Sequence, residues 1–302
     1  MSIFPTKILL ATDGSKDSEL AADAAIELAN QSGSELHVVY VGEFAPSPHA
    51  DPSSRAEQII ERLTHRTRNL LGERIGLIAA AGGDVSGEHV RVGRPANEIV
   101  DLAEEIGAGL IVVGSRGQGA MRRALMGSVS DSVVRHAYCP VLVVRGEKDG
   151  EPSFLRGRIL LATDGSTEAT LAAQTAVGLA DKTNSELHVV YVGWLDYGYP
   201  SHGIPDLEYL QRVQEKLTQE ARKLLAAEVE QVKAAGASEV EAHLSMGSPE
   251  VEIVKLAEEI GAGLIVVGSR GLGGLKRALL GSVSDSVVHH AHCPVLVVRK
   301  EK

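Results

Sequence analysis

The octapeptide Ile8 to Ser15 returns unchanged at Ile159 to Ser166, and Glu35 to Gly42 (ELHVVYVG) returns at Glu186 to Gly193, both 151 residues further on. From Asn97 to Arg145 the match is to Val251 through Arg299, displaced by 154, with 40 of 49 positions identical. One folding unit is written twice, so any fold for this chain must be built from two similar halves. Gly93 and Gly247 already stand at the larger spacing, which puts the three additional residues between Gly193 and Gly247, inside the second copy. A length of 302 residues suits two domains of ordinary size. The polar stretch Gly146 to Pro152 marks the join, giving domains of 1–147 and 148–302. So short a linker predicts that the two domains dock on each other.

Each copy alternates strand and helix signals. Lys7 to Thr12 is an apolar run that stops at Asp13-Gly14-Ser15, and helical spacing follows through Leu20, Ala24 and Leu28 to Ser32-Gly33. Leu36 to Val41 reads as a second strand, and Ser54-x-x-Glu57 has the form of a capping box opening a long helix. His89 to Val92 reads as a third strand, and Pro95 stands where the first turn of a helix tolerates it. Leu110 to Val113 is apolar throughout, as a strand covered on both faces would be. Ser128 is placed to cap a last helix, and Val141 to Val144 closes the unit. The alternation predicts the α/β class: two tandem doubly wound open sheets, mostly parallel, with five strands each. Ligands of such sheets bind beyond the carboxyl ends of the strands, where strand order reverses.

Composition removes several function classes. A net charge of −10, with 15 basic and 20 acidic residues in each half, argues against a duplex-binding field, and 3% aromatic content argues against a base-stacking platform. Cys139 and Cys293 cannot form a secreted disulfide framework. No apolar run approaches the ~18 residues of a membrane span. The expectation is a soluble cytoplasmic protein without nucleic-acid or membrane partners.

Strand one ends in Asp13-Gly14 and strand four in Gly114-Ser115-Arg116-Gly117-Gln118-Gly119; the second copy has Asp164-Gly165 and Gly268-Ser269-Arg270-Gly271-Leu272-Gly273. Glycines let backbone N–H groups approach a phosphate, and the helix N-terminus that follows adds partial positive charge. Arg122 and Arg123, or Lys276 and Arg277, add cations to the same loop. Such glycines also serve simply to turn the chain, but the length of the loop and its basic residues in both copies favour an anion site. There is no G-x-x-x-x-G-K-[ST], so a P-loop mechanism has no lysine, and G-x-G-x-x-G fails at Arg122.

The loop instead spells G-x2-G-x9-G-S, at Gly114, Gly117, Gly127 and Ser128 and again at Gly268, Gly271, Gly281 and Ser282. With the opening Ala11-Thr12-Asp13-Gly14-Ser15 and the terminal His-Ala-x-Cys-Pro-Val-x-Val, both halves resemble the universal stress protein family in its tandem form. The resemblance implies a Rossmann-like sheet, of the adenine nucleotide alpha hydrolase type, in strand order 3-2-1-4-5. It implies ATP, carried with Mg²⁺, in each domain. Asp13 would face the nucleoside and the backbone of Val41 the adenine, with Ala11 and Thr12 also among the cofactor-binding residues. Gly114, Arg116, Gly117, Gly119 and Arg122 would turn about the phosphates, with Gly127, Ser128, Val129 and Ser130 completing the site. Ala162, Thr163, Asp164, Val192, Gly268, Arg270, Gly271, Gly273, Lys276, Gly281, Ser282, Val283 and Ser284 would repeat it. Trp194, Tyr197 and Tyr199 follow the second strand of the second copy only and would alter that mouth. The role implied is regulatory or protective in stress. Slow ATP hydrolysis and a scaffold with a vestigial motif are the alternatives.

His289-His290-x-His292-Cys293 carries good zinc ligands, but consecutive side chains at a helix end diverge, so these read as helix-terminal histidines. His37 and His188, in mid-strand, read as packed in the sheet. No base or lysine suited to a γ-phosphate is identifiable. The last strand, Val141 to Arg145 and its copy Val295 to Arg299, is expected at a sheet edge where the two domains pair, with a homodimer as further assembly.

Overall fold

In a computed structural model, which describes residues 5–44, 54–118, 126–146, 157–193, 207–271 and 280–300, the chain alternates strand and helix twice over. The first half contains β1 (Lys7–Ala11), α1 (Lys16–Ser32), β2 (Glu35–Glu43), α2 (Ser54–Ala80) and β3 (Val85–Gly93). It continues with α3 (Pro95–Ile106), β4 (Leu110–Gly114), α4 (Ser128–His136) and β5 (Val141–Val144). The second half contains β6 (Arg158–Thr163), α5 (Thr167–Thr183), β7 (Glu186–Gly193), α6 (Leu207–Ala234) and β8 (Glu241–Met246). It ends with α7 (Pro249–Glu259), β9 (Leu264–Gly268), α8 (Ser282–His290) and β10 (Val295–Val298). The expected domain boundary, at residues 147 and 148, lies outside the described residues.

Local chemistry sets most of these limits. Ser15 and Ser166 cap α1 and α5 with their side chains, and Pro95 and Pro249 occupy the first turns of α3 and α7. Gly33 ends α1 at φ 71°, a left-handed conformation, and in the second copy Asn184 takes the same role at φ 52°. β3 starts at Val85, earlier than the apolar signal at His89, and its pairing with β2 shifts register between Leu36 and His37. Gly87 is required there, because a Cβ would stand 2.3 Å from His37 Nδ1.

The strands form one sheet in the order β3-β2-β1-β4-β5-β10-β9-β6-β7-β8. Each half is parallel in order 3-2-1-4-5, and the halves meet where β5 and β10 run antiparallel, with Leu142 opposite Leu296. The last strands thus lie at the centre of the sheet, and its edges are β3 and β8. Successive strand residues point to opposite faces, so Ile8 and Leu10 join a core with Leu71, Ile78 and the alanines of α1. Leu9 joins a second core with residues of α3 and α4. Both cores continue into the second half. Each fully buried aliphatic side chain contributes roughly 1.5–3 kcal/mol, so two-sided burial of these short strands holds the sheet together.

Two arginines cross the junction. Arg145, just beyond β5, donates to the carbonyls of Ala291 (2.5 Å) and Val288 at the end of α8. Arg299, just beyond β10, donates to Ala137 (2.6 Å) and Val134 at the end of α4. Each half therefore satisfies the orphan carbonyls of the other's last helix. Burial lowers the pKa of both guanidinium groups. Among the described residues no helix is long and apolar enough to cross a membrane.

Candidate functional site

Strand order reverses between β1 and β4, and the chain turns sharply after both strands. After β1, Asp13 Oδ1 accepts from the Ser15 backbone N–H at 2.9 Å, a side-chain-closed turn that presents the Ser15 cap to α1. After β4, Gly114 lies against the first turn of α1, where a Cβ would stand 2.6 Å from the Asp17 carbonyl carbon. Asp17 is buried and accepts from Ser115 Oγ at 2.6 Å and from Arg116 Nε at 3.0 Å. Ser15 Oγ reaches the Arg116 carbonyl at 3.0 Å. The two strand ends are thereby fixed to each other before any ligand is considered.

Asp13 completes the tie. Its Oδ2 accepts from the Gln118 N–H at 3.0 Å, and its carbonyl accepts from Gln118 Nε2 at 2.6 Å. Gly117 permits that approach, since a Cβ there would fall 2.6 Å from Asp13 Oδ2. Tyr40 donates its hydroxyl to the same Asp13 carbonyl at 3.1 Å. Burial, then Asp13, raises the Tyr40 pKa, against the opposing pull of Arg74 and Arg66. α4 opens at Gly127, whose φ of −69° and ψ of 149° bring the next residues into the helix without a side-chain cap.

These elements enclose a cavity of about 900 Å³, within the ~300–1,000 Å³ range of small-molecule sites. Val39, Val41, Leu63, Leu70, Ile99 and Met126 supply apolar wall, while the strand ends and the start of α4 supply polar groups. Of the predicted residues, Ala11, Thr12, Asp13, Val41, Gly114, Arg116, Gly117, Gly127, Ser128, Val129 and Ser130 all line it. Gly119, Arg122, Gly273 and Lys276 lie outside the described residues, as do Arg123, Arg277, Trp194, Tyr197 and Tyr199. Ala162, Thr163, Asp164, Val192, Gly268, Arg270, Gly271, Gly281, Ser282, Val283 and Ser284 hold the matching places on β6, β7, β9 and α8. There Asp164 Oδ1 accepts from the Ser166 N–H at 3.0 Å, and a Cβ on Gly271 would fall 2.2 Å from Asp164 Oδ2.

One expected role changes with the geometry. Ser128 does not cap α4: it is the first helical residue, and Gly127 takes the cap position. The last-helix N–H groups are consequently left without a side-chain acceptor of their own. Ser130 is buried, and its hydroxyl donates to the carbonyls of Ser115 (2.8 Å) and Gly127 (3.0 Å); Ser284 Oγ donates to Gly268 at 2.6 Å. Those hydroxyls hold the loop, which leaves the backbone to face a ligand. Arg116 is paired with Asp17, and Arg270 with Glu168 at 3.1 Å.

The sequence did not signal Asp17, Ser115 and Gln118, which tie the strand ends, or Tyr40, Arg66 and Thr67, which wall the cavity. Asp17 lies in the first turn of α1, where an acidic residue is common on any helix. The terminal histidines go separate ways: His289 to Asp131 at 3.5 Å, His290 to the Ser286 carbonyl at 2.8 Å, and His292 to Glu258. His37 and His188 each meet a second histidine, with His37 Nδ1 3.0 Å from His89 Nε2 and His188 Nδ1 2.9 Å from His243 Nε2.

A doubly wound sheet with glycine turns at its switch point, repeated within one chain, defines a class of tandem α/β small-ligand sites. The model of the universal stress protein family matches residues 5–145 and again 156–299, so the chain belongs to that family, as a tandem member. It is 31% identical over 305 residues to a universal stress protein of Mycobacterium tuberculosis, covering 97% of each chain. A universal stress protein of Mycolicibacterium smegmatis is 30% identical over 306 residues, covering 97% of this chain and 96% of the relative. The crystal structure of a universal stress protein from Archaeoglobus fulgidus superimposes with a TM-score of 0.68 at 27% identity, covering 97% of this chain and 98% of that one.

Proposed function

We propose that each domain binds an adenine nucleotide, ATP carried with Mg²⁺, and that occupancy serves a regulatory or protective role in the cytoplasm. The observation that carries this reading is the meeting of Asp13, the Gly117 turn and the uncapped start of α4 around one cavity. An apolar wall suits an adenine ring, and backbone N–H groups at a helix start suit phosphate oxygens. Domain boundaries at 1–147 and 148–302 would give each domain one complete set.

The metal would arrive with the nucleotide, held by phosphate oxygens. Asp13 and Asp17 are already engaged by Ser15, Gln118, Ser115 and Arg116, so these two carboxylates serve the loop rather than a separate metal cage. What Mg²⁺ supplies when bound is neutralisation of phosphate charge. The chain's own residues position the loop and exclude water from the apolar end.

The two domains would act as one pseudo-two-fold unit in solution, joined through β5 and β10. The antiparallel register and the reciprocal arginines support this. Val143→Pro should change the sedimentation profile and lower the melting temperature; an unchanged profile and melt would count against it. Nucleotide binding is tested by titrating MgATP into the wild-type chain and into the Gly117→Ala/Gly271→Ala double variant. Heat of binding that disappears in the variant supports the site, and identical isotherms would refute it. Multiple-turnover phosphate release, lost in the same variant, would extend the reading to an ATPase.

A further inference from the structure

The long helix over each site carries opposite charges in the two copies at two positions, while Arg62 and Lys216, and Arg68 and Arg222, keep their sign. Thr67 on α2 lies against Gly42 and Ala221 on α6 lies against Gly193, while Arg74 lies against Gly14 and Glu228 against Gly165. The helices are therefore superposable at a displacement of 154, which places Glu220 where the first copy has Arg66. Two arginines beside the first site have become two glutamates beside the second.

In the first copy Arg66 lines the cavity itself. Arg74 stands behind it, its guanidinium packed on the Asp13-Gly14 turn and paired with Glu19 at 3.0 Å. In the second copy Glu228 is only 6% exposed, and it accepts from Thr163 Oγ1 at 2.6 Å and Gln231 Nε2 at 3.3 Å. Both of those partners are uncharged. Among the described residues of the equivalent loop the cation is Arg270, and it is paired with Glu168. Local hydrogen bonding has adapted to the change. Thr12 meets Ser18 at 3.3 Å, whereas Ala169 stands at the Ser18 position and Thr163 turns to the new carboxylate. The tyrosine within β2 and its copy within β7 register the same field. Burial and then Asp13 or Asp164 raise both pKa values; Arg74 and Arg66 oppose the rise at Tyr40, whereas Glu228 adds to it at Tyr191.

We propose, building on the nucleotide-binding reading, that the two sites accept ligands of different charge. The first holds nucleoside polyphosphates tightly, and the second holds them more weakly and favours the nucleoside or its monophosphate. The physical reason is Coulombic. A polyphosphate gains from Arg66 and Arg74 at the first mouth and is repelled by Glu220 and Glu228 at the second; salt screens the exposed Arg66 and Glu220 more than the half-buried Arg74 and the buried Glu228. Two charge reversals at nucleotide length make MgATP weaker at the second site by on the order of tenfold or more. Adenosine, being uncharged, should show little of this difference.

The test uses the full chain, stripped of nucleotide, titrated separately with MgATP, AMP and adenosine. MgATP should show one tight and one weak class of site, with the tight class lost in Gly117→Ala, while adenosine fills both sites alike. In Glu220→Arg/Glu228→Gln, where glutamine keeps an acceptor for Thr163, the weak class should tighten by about tenfold. Its melting curve checks that the variant is folded. Two MgATP sites of equal affinity in the wild type would overturn the proposal and leave nucleotide binding intact. So would a folded variant in which the weak class is unchanged. No binding of any of the three ligands would remove the nucleotide reading itself, and the proposal with it.

Discussion

Two glycines of one loop should respond differently to the same added methyl group. At Gly114 a Cβ would stand 2.6 Å from the carbonyl carbon of Asp17 and 2.7 Å from the amide nitrogen of Ser18. Carbon neighbours normally sit ~3.5–4.0 Å apart, so α1 and β4 must separate by roughly 1 Å. Neither is free to move. β4 is paired on both sides, with β1 and β5, and α1 is pinned by Ser15 Oγ on the Ser18 N–H at 3.3 Å and by Ser115 on Asp17. Overpacking costs about 1–3 kcal/mol and a lost cap about 1 kcal/mol, so Gly114→Ala should destabilise by ~2–4 kcal/mol. At Gly117 the obstacle is instead Asp13 Oδ2, at 2.6 Å, the end of a side chain that can rotate aside. Its movement gives up the Gln118 N–H bond, worth about 1 kcal/mol at an exposed position. Gly268→Ala should fall between the two, because the nearest backbone atom there is 2.9 Å away. Equilibrium urea unfolding of the three variants measures the order directly. A Gly114→Ala midpoint equal to that of Gly117→Ala would refute the claim that α1 and β4 are locked together at this contact.

Arg299→Met, which keeps the stem and removes the donors, leaves the Ala137 and Val134 carbonyls unpaired and should cost about 2–4 kcal/mol in urea unfolding. Arg145→Met should cost a similar amount at α8, and near-zero effects of both would show the crossing contacts to be incidental. Asp17→Asn keeps an acceptor for Ser115 but loses the Arg116 pair; we expect a loss of about 1–2 kcal/mol and a weaker grip on nucleotide, read by melting and titration. His89 and His243 have pKa values lowered from 6.5, first by burial and then by their partner histidines. The unfolded chain therefore binds protons that the folded chain resists, and stability should be full above 6.5 and fall as pH drops below it. The double variant His89→Gln/His243→Gln should flatten that acid limb, and an unchanged pH profile would exclude the two pairs as its source.

The duplication, the alternation of strand and helix and the glycine loops were legible because each is local: period, punctuation and identity at fixed spacing. β1 and β4 carry apolar runs, as strands covered on both faces do. β3 was underread because its early residues alternate with exposed ones at a sheet edge. The site's internal wiring was not legible at all. Gln118 meets Asp13 across 105 positions and Ser115 meets Asp17 across 98, and nothing in local pattern links them. Arg66 and Glu220 sit on exposed helices where either charge satisfies the amphipathic pattern; only the fold shows which face overlooks a cavity. The exchange of caps by Arg145 and Arg299 likewise depends on the antiparallel meeting of β5 and β10.

The central claim, that the paired strand ends hold adenine nucleotide, is most directly tested by denaturing the purified chain and chromatographing what it releases. The account predicts adenine nucleotide at least stoichiometric with the chain, sharply reduced in Gly117→Ala/Gly271→Ala. A chain that releases none, and still takes up none after equilibration with millimolar MgATP, would contradict it and leave the loops as turns alone.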